Sequence, residues 1–167
     1  MKIFGLAGWS GSGKTTLMVK LLPELTRRGL SVSTMKHAHH DFDIDQPGKD
    51  SYEHRAAGAK EVLVASLNRW ALVHEHWGVP EPPFEDLLRH LTPVDLLLVE
   101  GFKQYPLDKI EVYRAGSGKP MLCQQDSNVV AVASDAAIPG LKIPVIDVND
   151  VPAVADFIIA HCGLKGA

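Results

Sequence analysis

Apolar residues in this chain fall into short runs separated by stretches with helical spacing. Runs at 2–7, 30–36, 60–65, 69–74, 95–100, 109–114, 128–134 and 143–148 have strand length and are rich in Val, Ile and Leu. Leu96-Leu97-Leu98-Val99 is apolar on both faces, the pattern of a central parallel strand covered on both sides. Between these runs the period changes. Leu17, Leu21 and Leu25, with Leu22 beside them, form one face of a helix over 16–28, with Pro23 inside it and Gly29 at its stop. Val154, Phe157, Ile158 and Ile159 or Cys162 do the same for a helix over 151–161, capped by Asn149 or Asp150. Asp50-Ser51 is expected to cap a short helix running toward Ala57, and Pro80 to Pro83 precede another over 84–91. Alternation of strands and helices predicts an α/β fold with a mostly parallel central sheet.

At 167 residues the chain has the length of one domain with a full core, and no Pro/Gly-rich linker, repeat or low-complexity stretch divides it. A single domain spanning 1–167 is therefore expected. Apolar residues make up 46% and charged residues 22%, which excludes disorder as the general state. A net charge of -3 leaves no electrostatic footprint for nucleic acid or an anionic membrane. Anion binding must then be local. The amino terminus lacks a basic segment followed by a long apolar run, and no apolar stretch reaches the roughly 18 residues of a membrane span. A cytoplasmic location is expected. Cys123 and Cys162 lie far apart and outside any C-x-x-C pattern, which argues against a disulfide scaffold or a structural zinc site.

The sharpest chemical signal is Gly8-Trp9-Ser10-Gly11-Ser12-Gly13-Lys14-Thr15-Thr16, which satisfies the phosphate-binding pattern G-x-x-x-x-G-K-[ST] between a strand and a helix. In such a loop, successive backbone N–H groups turn inward around phosphate oxygens, and the following helix directs its positive end at the same anion. Gly8, Ser10, Gly11, Ser12, Gly13, Lys14, Thr15 and Thr16 are the candidate nucleotide contacts. Lys14 is expected at the β- and γ-phosphates and Thr15 at magnesium.

Leu96-Leu97-Leu98-Val99-Glu100-Gly101 reads as a Walker B strand, with Glu100 placed to hold a magnesium-bound water and Gly101 to let the backbone pass close to the γ-phosphate. Asp95, at the other end of that strand, reads as a surface or structural carboxylate. After the second strand, the polar block 36–55 occupies the usual place of a γ-phosphate switch. Asp41, Asp43 and Asp45 are its candidates for holding metal-bound or attacking water, and Lys49 and Arg55 for meeting phosphate or a partner's carboxylate. His37, His39 and His40 alternatively form a transition-metal site, although no cysteine or fourth ligand lies near them in sequence.

Taken together, the phosphate loop, the block Lys36-His37-Ala38-His39-His40-Asp41-Phe42-Asp43-Ile44-Asp45-Gln46-Pro47-Gly48-Lys49-Asp50-Ser51-Tyr52, the run Arg69-Trp70-Ala71-Leu72 and the strand ending Glu100-Gly101-Phe102-Lys103 resemble the MobB family of molybdopterin-guanine dinucleotide biosynthesis. The resemblance extends over nearly the whole chain. It implies a P-loop NTPase-like three-layer sandwich that binds GTP with Mg2+ and has weak GTPase activity. It further implies a homodimer that assists MobA, the enzyme joining GMP to molybdopterin, in molybdenum cofactor biosynthesis.

Guanine has no Asn-Lys-x-Asp reader here. The strand over 128–134 instead leads into Ser134-Asp135, where a carboxylate can accept two hydrogen bonds from guanine N1 and N2; a helix-capping or turn-forming aspartate explains the same residue without a base. Two other functions use a phosphate loop. A small-molecule kinase needs a basic lid and an acceptor pocket, whereas the basic residues here are scattered. A GTPase metallochaperone is favoured only by the histidine cluster.

Overall fold

A computed structural model describes residues 1–38, 42–102 and 105–165. The chain divides into two compact units, one built from residues 1–37 and 93–167 and the other from residues 38–92 inserted between them.

The first unit carries β1 (Lys2–Ala7), α1 (Lys14–Arg27), β2 (Val32–Lys36), then, beyond the inserted unit, β5 (Leu96–Glu100), β6 (Lys109–Tyr113), β7 (Val129–Ser134), β8 (Val145–Asp147) and α4 (Val151–Cys162). The inserted unit supplies α2 (Asp50–Ala56), β3 (Glu61–Ala65), β4 (Trp70–His74) and α3 (Phe84–Leu88). Among the described residues, the first unit's six strands form one sheet in the order β2-β5-β1-β6-β7-β8. Every pairing in it is parallel. The α/β fold and parallel sheet expected from the sequence are thus the observed ones.

The period of apolar residues explains the layers. Leu17, Met18, Leu21 and Leu25 of α1 and Val154, Ala155, Ile158 and Cys162 of α4 join Phe4, Leu6, Leu96, Leu98, Ile110 and Val112 in one core cluster. Leu97 and Val99, alternating with Leu96 and Leu98, are buried as well, as a strand covered on both faces requires. Asp150 caps α4 by accepting from the Ala153 N–H at 3.0 Å. At α2 the expected Asp50-Ser51 cap is absent: Lys49 occupies the cap position without a side-chain hydrogen bond, and Asp50 begins the helix. There the two acidic residues of the helix, Asp50 and Glu53, serve its positive end as charges in the first turn. Asp95 is structural, its carboxylate accepting from the Ser31 N–H at 2.8 Å and the Ser31 hydroxyl at 2.6 Å.

In the inserted unit, β3 and β4 form an antiparallel hairpin that pairs Leu63 with Leu72 and Ala65 with Trp70. Val62 and Phe84 are buried. Leu63, Trp70 and Leu72, which share one face of the hairpin, are exposed together with Leu67 at its tip.

Candidate functional site

The parallel sheet brings the functional ends of β1, β5, β6 and β7 to one edge, because every strand in it runs the same way. Residues 8–13 connect β1 directly to α1, whose N-cap is Gly13 with no side-chain cap. The first-turn N–H groups of that helix therefore face the loop rather than a side-chain acceptor. Ser12 N–H donates to the Trp9 carbonyl at 3.1 Å and closes the turn. Lys14 Nζ donates to the carbonyls of Gly8 at 2.8 Å and Trp9 at 3.0 Å, so its ammonium lies over the loop. Thr15 and Thr16 are exposed.

Two observations bear on whether this cradle suits an anion. At Gly8 (φ 144°) a Cβ would sit 2.5 Å from the Val112 carbonyl oxygen and 2.6 Å from Ser12 Oγ, so only glycine lets the loop close this tightly. Ser12 Oγ is buried with no hydrogen-bond partner among the described residues, a polar atom left over inside the loop. A tightly wound N–H-lined loop with a spare buried hydroxyl and a lysine across it fits a polyphosphate.

Glu100 ends β5 in register with Leu6 on β1 and Lys36 on β2, two residues short of the loop. Its carboxylate is mostly buried, with Lys36 Nζ 4.0 Å away. Gly101 has φ 102°, and a Cβ on it would lie 2.6 Å from the His37 carbonyl oxygen. His37 N–H donates to the Glu100 carbonyl at 2.8 Å, and its ring packs on Phe102 at 4.9 Å. Glu100 and Gly101 thus stand at the end of the strand beside β1, the strand that leads into the phosphate loop.

Asp135, just beyond β7, accepts from the Ala115 N–H at 3.1 Å through Oδ1 and lies 3.5 Å from Arg114 through Oδ2. The Ala115 N–H first, and the Arg114 charge after it, hold its carboxyl below the usual carboxylate range. The Ser134 hydroxyl accepts from the Ala136 N–H at 3.2 Å. Ser134, Asp135, Ala136, Ala137, Val145, Ile146 and Asp147 line a pocket of about 220 Å³ at the ends of β7 and β8. It is smaller than the clefts of about 300–1,000 Å³ that hold drug-sized ligands.

In the inserted unit, the switch block is organised around Arg55. Its guanidinium donates to Asp45 at 3.1 Å and to Asp43 at 2.8 Å, meets Glu75 at 3.3 Å, and stacks on the Tyr52 ring at 5.0 Å. Arg55 thus meets carboxylates of its own unit, and the two described switch aspartates are its partners. His39, His40 and Asp41 lie outside the described residues. Among those described, no group of three His, Cys, Asp or Glu is arranged to hold a metal ion. Burial and the Glu111 charge push the Cys123 thiol up to about 11, and burial raises that of Cys162, so neither is poised as a nucleophile.

Sequence reasoning missed Arg114. Its Nε donates to the Ser12 carbonyl at 3.2 Å across 102 residues of chain. It also missed the contact of Trp9 Nε1 with the Pro120 carbonyl at 2.7 Å and the placement of Lys119 Nζ 6.0 Å over the Trp9 ring. The sequence shows only that Arg114 directly follows a strand; that this strand, β6, lies beside β1 is seen in the sheet order alone.

Residues 3–135 match the family model of molybdopterin guanine dinucleotide synthesis protein B, MobB. The chain belongs to the MobB family. Among the relatives of this MobB-family chain, it is 45% identical to the molybdopterin-guanine dinucleotide biosynthesis adapter protein of Escherichia coli K12 over 94% of its own length and 91% of that protein's. It is 43% identical to the protein of the same name from Haemophilus influenzae, covering 93% of this chain and 86% of that one. The crystal structure of a MobB homologue from Bacillus stearothermophilus superposes with a TM-score of 0.73 at 26% identity, covering 98% of this chain and 99% of that one.

Proposed function

We propose that this chain is a GTP-binding adapter in the synthesis of molybdopterin guanine dinucleotide, acting in the cytoplasm beside MobA rather than as an efficient enzyme. The observation that carries the reading is the edge of the sheet, where one line of strand ends presents the phosphate loop after β1, Glu100 at the end of β5 and the Asp135 pocket after β7. Family membership supplies the pathway.

In this reading Gly8, Ser10, Gly11, Ser12, Gly13, Lys14, Thr15 and Thr16 hold the triphosphate. Thr15 and Glu100 would hold Mg2+, which when bound would neutralise charge on the phosphates. Gly101 lets the β5 end run close to the γ-phosphate. Ser134 and Asp135 read guanine, the carboxylate accepting from N1 and N2. Asp43 and Asp45, the partners of Arg55, and Asp41 are the candidates to position water or metal. Turnover is slow, since no arginine is assigned to the γ-phosphate. The exposed face of Leu63, Trp70 and Leu72 is assigned to a second copy of the chain, in keeping with the homodimer the resemblance implies.

The test is reconstitution. With MobA, GTP and molybdopterin fixed, adding this protein is expected to raise the yield of the guanine dinucleotide, and adding its Lys14→Ala variant is not. An equal yield with and without the wild-type protein would overturn the adapter reading. Transfer of the γ-phosphate to a small-molecule acceptor would favour a kinase instead.

A further inference from the structure

Residue 114 stands at a place that only the sheet order reveals. β6 lies between β1, which delivers the phosphate loop, and β7, which delivers Asp135. Its register reaches both neighbours, Ala7 opposite Glu111 on one side and Ser134 opposite Tyr113 on the other. A long side chain on the next residue, Arg114, spans the gap. Its Nε–H donates to the Ser12 carbonyl at 3.2 Å while another guanidinium nitrogen lies 3.5 Å from Asp135 Oδ2. A third faces Gly13, within 3.2 Å of where a Cβ would stand.

From this geometry we propose that Arg114 is the positioning residue that couples base recognition to phosphate recognition, fixing the phosphate loop and the base-reading carboxylate as one unit. The proposal rests on the β7–β8 pocket being the base site.

On the phosphate side, the argument comes from peptide geometry. The C=O and N–H of one trans peptide unit point in opposite directions. A guanidinium that pins the Ser12 carbonyl therefore points the Gly13 N–H of the same peptide unit away from Arg114. On the base side, Asp135 is held through both oxygens, by the Ala115 N–H and by Arg114. A carboxylate offers about four acceptor sites, so this clamp fixes the plane and leaves positions for a ligand's donors. The chain contains no Asn-Lys-x-Asp run to frame the base from β7 itself. Framing then falls to the neighbouring strand. The segment beyond Arg114 continues the same strap, since the Pro120 carbonyl accepts from the Trp9 indole of the phosphate loop. A rigid planar fork suits this double duty, and lysine, a single flexible point charge, does not.

The experiment compares Arg114→Ala, Arg114→Lys, Asp135→Asn and the Arg114→Ala/Asp135→Asn double variant by competition binding of GTP, ATP and inorganic triphosphate. Arg114→Ala is expected to reduce the GTP-over-ATP preference about tenfold, the effect of one charge-assisted hydrogen bond. It should also weaken inorganic triphosphate, which Asp135→Asn should leave unchanged. The double variant should discriminate no worse than Asp135→Asn alone, because both substitutions act on one carboxylate. Should Arg114→Ala fail to fold, Arg114→Lys keeps the charge and carries the same test. If Asp135→Asn changes the preference while neither Arg114 variant does, the coupling is overturned and the base site stands. If Asp135→Asn also leaves the preference unchanged, the base reading falls and the coupling with it.

Discussion

A methyl group at Gly101 would stand 2.6 Å from the His37 carbonyl oxygen on a backbone with φ 102°, at the point where β5 leaves the sheet beside Glu100. Gly101→Ala is therefore expected to cost about 1–3 kcal/mol of stability through backbone strain, read from the midpoint of denaturant unfolding. Asp95 makes a different kind of contact at the opposite edge, where the Ser31 hydroxyl first and the Ser31 N–H second lower its pKa. A carboxylate lowered in the fold stabilises it above the ordinary aspartate value, near 4, and loses that contribution as pH falls through the lowered folded value. Thermal melts should accordingly show Asp95→Asn less stable than wild type at pH 7, with the gap closing only below about pH 4. A gap that is constant down to the lowest pH would contradict the assignment. Both residues were legible in the sequence by type and place. Arg114 was not, because what makes it functional is a contact with Ser12 made across 102 residues.

Helix α1 binds the phosphate loop to the core through Leu17, Met18, Leu21 and Leu25. Leu21 is fully buried, so Leu21→Ala is expected to cost about 2–5 kcal/mol, again measured by denaturant unfolding. The 3.6-residue period made that face readable in advance, apart from Met18. The hairpin β3–β4 is the contrasting element. Its strands were legible from their apolar runs, yet the same pattern fits a buried or an exposed face, and the structure exposes Trp70 and Leu72. Trp70→Ser is expected to leave monomer stability nearly unchanged while shifting light-scattering mass from dimer to monomer at micromolar concentration. Wild-type protein that is monomeric with and without GTP would remove the dimer. The short helix α2 shows where local signals fail, since Asp50-Ser51 resembles a cap and instead lies inside the first turn.

At the scale of the whole molecule, a parallel sheet gathers chemistry at one edge, which is why motifs far apart in sequence could be read as one site before any coordinates. The strand order and the insertion of residues 38–92 were not readable, because neither leaves a compositional break. The same edge places Arg114 against Ser12 and Asp135, and it reads as a positioning group and not as a charge on a γ-phosphate. An arginine finger is worth about 10³–10⁵ in rate, so hydrolysis by the isolated protein is expected well below about 1 s⁻¹. The central claim, that this edge binds guanine nucleotide through the phosphate loop, is tested most directly by isothermal titration of GTP and ATP with Mg2+ into the wild-type protein and a folded Lys14→Ala variant. The wild type is expected to prefer GTP by a factor on the order of ten to a thousand, with GTP affinity at least about tenfold lower in Lys14→Ala. Equal affinities for GTP and ATP, or GTP affinity unchanged by the substitution, would contradict it.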